Sequence, residues 1–478
     1  MAAAHGYLPT LTSTSRVPPW TFLLTAVAAF MVALDNLVVV TALPAIGKSL
    51  DSGIEGLQWT VGAYTLTYAV FQLSGAALGD RFGRRRVFVV GLLLFTVASA
   101  IAAFAPNIHA LVGARAGQGL GAALVSPLAL TILAGATPRT RRAAVLGRWT
   151  AISGIAIAIG PVVGGAIVSG ARWQWIFLIN VPIGALLIPA AWLKLSESRG
   201  PHGKLDVPAA LLASGGLLAL VFGLINGNDH GWTSYPVLGA LGCAVVLLTA
   251  FVTWESHTRF PMLPMVLFRA RGFAASVSIY LMMAFGLFGS IFLLTQFLQL
   301  ELHYSALATG LAILPAAAMP AVVAPLIGPL DRRIGGRATV VIALALQAAA
   351  LGWLSVVSRS GVDYLGLLPA LMLIGIAAGL FFGQVSRLIL AFVPPGYEGM
   401  ASGTGTTFRQ LGTTLGVAVL GAVFAATGGY ADVTDFSAGL DIALKVGAAV
   451  SAVAVAIALL VPPLADRVRP AARAGRAA

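Results

Sequence analysis

One carboxylate lies inside an otherwise apolar stretch near the start of the chain. Residues 32–46 have the sequence VALDNLVVVTALPAI, and Asp35 is the only acidic side chain well inside any apolar segment. Burial away from water favours the neutral acid, whereas a nearby guanidinium favours the carboxylate. A group under both influences can exchange protons, and a proton and a cationic ligand could then compete for it. The alternative is a permanently protonated acid that only packs helices together.

Arg115 is the predicted partner of this acid. Asp35 lies about 15 residues into the first apolar segment, roughly 22 Å along a helix, and Arg115 lies about six residues into the fourth, roughly 9 Å from the opposite boundary. Because the hydrocarbon core is about 30 Å thick, the two side chains reach a similar depth, and we expect a pair. Alternatively, Arg115 only ties helices together through backbone carbonyls. Gln118, one turn further on, is a candidate polar neighbour in a cavity.

The composition predicts that these apolar segments cross a membrane. Of the 478 residues, 59% are hydrophobic and only 9% are charged, with a net charge of +13. A soluble globular domain carries roughly 25% charged residues, so this chain cannot cover a water-facing surface of its own size. Many segments reach the length of about 20 residues that a membrane-spanning helix needs. The sequence therefore predicts an all-α polytopic protein embedded in a lipid bilayer.

Fourteen apolar segments are predicted to span the membrane. Their ranges are 20–44, 57–79, 87–105, 109–134, 146–169, 174–194, 208–226, 234–254, 273–297, 305–328, 338–357, 363–384, 402–426 and 440–462. An even number of spans places both termini on the same side, and 23 of the 29 Lys and Arg residues then fall on that side. The exceptions are Lys48, Arg172, Arg359 and Lys445 on the other side, with Arg115 and Arg409 inside spans. This excess predicts cytoplasmic termini, and it explains the net charge without a nucleic-acid partner.

A short basic motif occurs twice. GDRFGRRRV (79–87) connects spans 2 and 3, and PLDRRIGGR (329–337) connects spans 10 and 11, although Asp331 comes one position early in the second copy. The offset of eight spans indicates two homologous six-helix bundles with two extra central helices, spans 7 and 8, between them. The predicted units are an N-terminal segment 1–19, a bundle 20–194, a linker with the extra helices 195–260, a bundle 261–462 and a basic tail 463–478.

Several motifs together resemble the major facilitator superfamily, in particular its fourteen-helix branch of drug:proton antiporters. They are LDNLVVVTALP (34–44), GAALGDRFGRRR (75–86), RAGQGLGAA (115–123), GIAIAIGPVVGG (154–165) and RWQWIFLINVPIG (172–184). The resemblance covers about residues 20–460 and implies the major facilitator fold. Three residues depart from the usual motifs. Leu37 and Val40 stand where the branch usually has Thr and Asn, and Ala76 stands where it usually has Gly.

The resemblance assigns further residues to conformational change. It implies that Asp80, Arg81, Gly83 and Arg84 form a latch loop, in which Asp80 pairs with basic residues across the seam between the bundles. Independently, a carboxylate just before span 3 could cap that helix, and Gly83 would permit the tight turn. In the antiporter motif of span 5, Gly154, Gly160, Gly164 and Gly165 allow close helix approach, and Pro161 bends the helix. The alternatives are ordinary positive-inside charge and ordinary membrane-helix Gly and Pro.

Aromatic and polar residues along several spans are candidates for a substrate cavity. The candidates are Asn36, Trp59, Tyr64, Gln118, Phe288, Phe292, Gln296 and Arg409. An aromatic lining would suit amphipathic aromatic cations through contact area and cation–π attraction. Each side chain could instead face lipid or a neighbouring helix, and Arg409 could extend to the membrane surface.

No enzyme motif is present in the sequence. The six His residues show no metal-ligand spacing, no GxxxxGK[ST] phosphate loop occurs, and no nucleophile–base pair is visible. We therefore expect a secondary transporter without cofactors. It would use the proton gradient to export amphipathic, hydrophobic or cationic drugs by alternating access, acting as a monomer in the bacterial inner membrane. The alternatives are a proton-coupled exporter of one endogenous metabolite, or a non-transporting membrane sensor or scaffold.

Overall fold

The computed structural model describes most of the chain. The described residues are 19–200, 206–259, 261–263, 265–358, 362–394, 397–429 and 433–462. The predicted basic tail and all but the last residue of the predicted N-terminal segment lie outside these ranges, as does Arg359.

The described chain is helical almost throughout. The helices are α1 Pro19–Leu50, α2 Ile54–Phe82, α3 Arg84–Ala103, α4 Ile108–Gly135, α5 Arg139–Gly170, α6 Trp175–Lys194, α7 Val207–His230, α8 Tyr235–His257, α9 Arg271–Gln296, α10 306–334, α11 336–357, α12 Tyr364–Ala391, α13 Glu398–Thr427 and α14 Val433–Leu459. Helix α6 is interrupted at Ile179, and a π-helical turn, Phe297–Glu301, continues α9.

Fourteen helices account for the fourteen predicted spans. By length and composition, twelve helices in the described residues could each cross a membrane. One of them, Ala306–Val357, contains 52 residues and changes direction at Gly335, so it provides both α10 and α11. Helix α2 is less apolar than these twelve because it carries several polar side chains, among them Gln58, Thr60 and Thr65, which are buried inside the protein.

The two copies of the basic motif form the same turn. Gly83 has φ of 107° and Gly335 has φ of 82°, a backbone conformation that is costly for residues with a Cβ atom. Each glycine lies between two consecutive helices, α2 and α3 or α10 and α11. The second motif therefore repeats the geometry of the first, although its acid pairs differently, because Asp331 lies 3.3 Å from Arg387 of α12.

The helices group by contact into two sets with an additional pair between them. Helices α1–α6 pack among themselves, as do α9–α14, and α7 packs on α8, α2 and α13. Leu66 and Val70 of α2, Val221 and Ile225 of α7, and Ala418 of α13 share one apolar cluster. Much of α8 is exposed, as expected for a helix that faces lipid. The predicted domain boundaries stay predictions.

The two ends of the helical assembly differ. We call the end with the turns at Gly83 and Gly335 the charged end and the opposite end the far end. At the far end, Gln58 of α2 donates to the carbonyls of Val417 (3.1 Å) and Ala418 (3.2 Å) in α13. Gln299 donates to the Thr41 carbonyl of α1 over 2.9 Å. These bonds join the two helix sets, so the far end is closed.

Candidate functional site

Asp35 and Arg115 form a buried ion pair among the first six helices. Arg115 Nη1 donates to Asp35 Oδ2 over 2.6 Å, and both side chains are 0% exposed. Asp35 Oδ1 accepts from Gln118 Nε2 (3.0 Å) and from Asn180 Nδ2 (2.8 Å). The similar depths predicted from the sequence therefore bring the two charges together. Because breaking a buried pair leaves an uncompensated charge, the two side chains hold each other in place.

Arg115 is held by contacts from several helices. Its Nη1 also donates to Gln118 Oε1 (2.9 Å), and its Nε donates to the Thr60 carbonyl of α2 (3.1 Å). Among the described residues, its buried Nη2 has no hydrogen-bond partner. The guanidinium instead lies over the Tyr64 ring, with 4.2 Å from Cζ to the ring centroid, a cation–π geometry. Any movement of Arg115 must therefore change its contact with Tyr64.

Two members of this network were missed in the sequence. Asn180 is the first residue of α6 after the interruption at Ile179, and Ser99 of α3 accepts from Gln118 Nε2 over 2.7 Å. The signal for Asn180 was available, since it is a single amide inside the apolar run WIFLINVPIG. Ser99 resembles any other small residue in a membrane helix, and its rotational position could not be inferred from its type.

A large cavity lies between the two helix sets and reaches the charged end. Its volume is about 1460 Å³, and its lining includes Asp80, Asp206, Glu255 and Arg259, all near the charged end. Deeper lining residues include Asn36, Leu37, Tyr64, Tyr68, Tyr280 and Phe288. Among the candidates, Asn36, Tyr64, Phe288 and Arg409 line this cavity. Arg409 projects into it about 17 Å along α13, eleven residues from Glu398 at 1.5 Å each.

Four cavity candidates lie elsewhere. Gln118 is enclosed in the ion-pair network. Trp59 is five residues before Tyr64, which places it on a different face of α2, and it packs with the apolar cluster at α7. Phe292 and Gln296 are fully buried and lie on α9 beyond Ile291, the lining residue of that helix nearest the far end.

The geometry also corrects the expected relation between the acid and the ligand. Asp35 is 2% exposed, is surrounded by its donors and does not line the cavity. A ligand in the cavity therefore cannot replace Arg115 directly at this carboxylate. Tyr64 is the residue common to both places, because it lines the cavity and its ring contacts the Arg115 guanidinium.

The latch loop is anchored to the end of α6. Glu197 accepts from the backbone N–H groups of Arg85 (3.0 Å) and Arg86 (3.3 Å) at the start of α3. The cap predicted for Asp80 is thus provided by Glu197. Asp80 instead accepts from Arg84 Nε over 2.8 Å and faces the cavity. Arg81 lies over the neighbouring Phe82 ring. A pairing of Asp80 across the seam is not observed among the described residues in this open state.

The antiporter motif lies where α5 meets two other helices. A Cβ atom on Gly164 would come within 2.7 Å of the Val38 carbonyl of α1, and one on Gly165 would collide with the Ala306 carbonyl of α10. A Cβ on Gly160 would reach Leu37 at 2.9 Å. Gly154 and Pro161 line the cavity. The glycines nearest the far end therefore permit the close contact that closes it, as in other tightly packed membrane helices.

Comparison with known proteins decides the family. Residues 25–417 match the family model described as Major Facilitator Superfamily. The chain belongs to the major facilitator superfamily. It is 38% identical over 414 residues to the multidrug resistance protein Stp of Mycobacterium tuberculosis, covering 86% of this chain and 77% of that one. It is 34% identical over 424 residues to the tetracenomycin C resistance and export protein of Streptomyces glaucescens, covering 88% and 78%.

The fold comparison agrees with this assignment. The crystal structure of a mutant of the nucleoside transporter NupG matches with a TM-score of 0.65 at 13% identity, covering 92% of this chain and 99% of that one. At this identity the match supports the fold alone. The expected fold class, an all-α major facilitator protein that crosses the membrane many times, is thereby confirmed.

Proposed function

We propose that this protein exports amphipathic drugs or antibiotics in exchange for protons. The observation that best supports this proposal is the buried Asp35–Arg115 pair, which contacts the cavity of about 1460 Å³ through the Tyr64 ring. The similarity to proteins named for multidrug resistance and for tetracenomycin C resistance and export supports the substrate class. In this proposal Asp35 and Arg115 couple proton movement to transport, without any cofactor.

We further propose that the charged end faces the cytoplasm, as the distribution of Lys and Arg indicates, and that the protein acts as a monomer in the bacterial inner membrane. The cavity would then be open to the cytoplasm. Drugs would enter it from there and leave after the far end opens and the charged end closes, as in alternating access.

The ion pair suggests how a proton would change the cavity. A protonated Asp35 is a weaker partner for Arg115 because it is no longer an anion. Arg115 would then depend on Gln118, on the Thr60 carbonyl and on the Tyr64 ring. In this scheme the structure, with the pair closed, corresponds to the state that has released its proton and can accept a drug.

The test is proton exchange in liposomes that contain the purified protein. With a pH gradient imposed, a panel of anionic, neutral and cationic antibiotics should drive proton movement through the parental protein. Asp35→Asn should still bind the drugs but lose the exchange. Asp441→Asn is the matched control, because Asp441 is a partly exposed acid paired with Lys445.

A second variant separates coupling from folding. Asp35→Asn leaves Arg115 as an uncompensated buried cation, which typically destabilises a protein by about 3–5 kcal/mol. Asp35→Asn with Arg115→Gln removes both charges and should restore thermal stability without restoring exchange. Exchange at the parental rate in the double variant would refute the coupling role.

A further inference from the structure

Arg409 is the charged residue that lines the deep part of the cavity. Five other charged residues line the cavity nearer the charged end. Asp80 and Glu255 lie in the last turns of α2 and α8, and Asp206 lies at the start of α7. Arg259 and Arg269 lie in the segment that joins α8 to α9. Within the described part of the chain, no hydrogen bond or ion pair engages the Arg409 guanidinium. A fixed positive charge therefore faces the place where a ligand would bind.

The acids that line the cavity do not pair with Arg409, because each is bound to other groups near the charged end. Asp80 accepts from Arg84 over 2.8 Å. Asp206 accepts from the Ala209 N–H over 3.0 Å and from Trp254 Nε1 over 2.8 Å. Both oxygens of Glu255 accept backbone N–H groups, from Met262 at 3.2 Å and Leu263 at 3.1 Å. Asp35 lies outside the cavity in its own ion pair.

Aromatic side chains line the same cavity as Arg409, among them Tyr68 and Tyr280. Tyr280 packs on Phe382, another lining residue, at 5.8 Å between ring centroids. Aromatic rings offer stacking partners to a planar body, and an arginine offers paired donors to a carboxylate or a similar anion.

We propose that the cavity selects amphipathic aromatic compounds that carry an acidic group, which binds Arg409. This proposal rests on the proposed export function and narrows its substrate class, because cations are disfavoured at this site. Water solvates a guanidinium in an open cavity, and a ligand that displaces this water must supply acceptors in its place. An anionic group supplies such acceptors, whereas a neutral ring supplies few. An organic cation is also repelled by the positive guanidinium.

The test compares three probes of similar shape: 2-naphthoate, 2-naphthamide and 2-naphthylmethylammonium. Equilibrium binding to the purified full-length protein is measured in lipid nanodiscs. Since a hydrogen bond to a charged group is stronger than a neutral one by a factor of roughly 5 to 10, naphthoate should bind about five- to tenfold tighter than naphthamide. The ammonium probe should bind weakest.

Variants assign the preference to one side chain. Arg409→Gln should abolish the difference between naphthoate and naphthamide, and Arg409→Lys should retain part of it because the charge remains. Arg333→Gln, which removes an exposed arginine that does not line the cavity, should leave the preference unchanged. The thermal midpoint of each variant shows whether it is folded, and the Lys variant keeps the test decisive if the Gln variant is not.

The outcomes separate this inference from the export function. Equal affinity for the three probes, tighter binding of the ammonium, absence of naphthoate binding, or an unchanged preference in Arg409→Gln overturns the inference. Exchange of protons for all three probes with equal efficiency would overturn it while leaving export intact. Selective binding of naphthoate without any proton-driven movement supports the inference and refutes the export function.

Discussion

Asp35 keeps its place because donors from two other helices surround it. Gln118 and Arg115 come from α4, and Asn180 comes from α6. A polar group inside an apolar protein is costly unless it is hydrogen-bonded, so these residues are needed together. The acid alone would not define a site; the donors fix where the carboxylate lies and which oxygen meets the guanidinium.

At this scale the sharpest prediction concerns Asn180. Asn180→Leu removes one of the three side-chain donors to Asp35 and should lower stability by about 1.5–3 kcal/mol, the usual contribution of a hydrogen bond to a charged group. Because the carboxylate is then less firmly held, proton exchange per transported drug should fall by at least tenfold. The measurements are thermal unfolding and the proton-to-drug ratio in liposomes.

A matched variant controls for the loss of a buried amide. Asn226 of α7 is 3% exposed and donates to the Phe222 carbonyl of its own helix over 3.1 Å. Asn226→Leu should leave the proton-to-drug ratio at the parental value. If both variants lower this ratio equally, Asn180 has no particular role in coupling.

The sequence was sufficient to predict the Asp35–Arg115 pair, but it did not predict all the residues that surround the pair. Depth along a helix follows from counting residues, and this brought Asp35 and Arg115 together. The direction of each side chain around its helix depends on packing that counting does not provide. Trp59, Gln118, Phe292 and Gln296 are therefore absent from the cavity lining for which they were candidates, and Asp35 lies in its own network instead of facing the cavity.

At the scale of elements, α5 and α10 form a close contact at the far end. Gly165 of α5 lies against Ala306 and Leu307, and Gly310 of α10 lies against the Pro161 carbonyl. The two helices therefore approach backbone to backbone. The fourteen helices themselves were predictable from apolar length, whereas this contact depends on which glycines face each other.

Gly165→Ala is expected to open the far end. The added methyl group would collide with the Ala306 carbonyl, and overpacking of this kind typically costs about 1–3 kcal/mol. That cost falls on the state that is closed at the far end, so the ratio of molecules open at the charged end to molecules open at the far end should fall by about tenfold. The measurement is maleimide labelling of Ala33→Cys, a cavity-lining position, in a Cys243→Ala background.

Gly147→Ala is the control on the same helix, because a Cβ atom there would meet nothing within 4 Å. In the Gly147→Ala protein, the cysteine introduced at position 33 should be labelled at the parental rate. Unchanged labelling in Gly165→Ala as well would show that this contact does not govern closure.

At the scale of the whole molecule, transport requires that the closed far end separate while the charged end closes. The Ser169 hydroxyl of α5 accepts from the Leu307 N–H of α10 over 3.0 Å. Because this contact joins the side chain at 169 to the backbone at 307, we expect cysteines at these two positions to form a disulfide across the far end. Because the two helices then cannot separate, the molecule should remain open only at the charged end.

We therefore expect Ser169→Cys with Leu307→Cys, in the Cys243→Ala background, to stop drug exchange after oxidation and to recover after reduction. The single-cysteine variants should be insensitive to oxidant. Drug binding measured from the charged end should persist in the oxidised protein. Full exchange by the cross-linked form would contradict alternating access through this end.

The position of Tyr64 has a consequence for the variety of cargo. An exporter whose driving ion occupied the same carboxylate as its cargo would accept only molecules able to compete chemically for that group. Here the Tyr64 ring contacts Arg115 of the buried ion pair and also lines the cavity. Cargo and proton then need not compete for one group, so compounds of different size and shape that fit the cavity could use the same proton pathway.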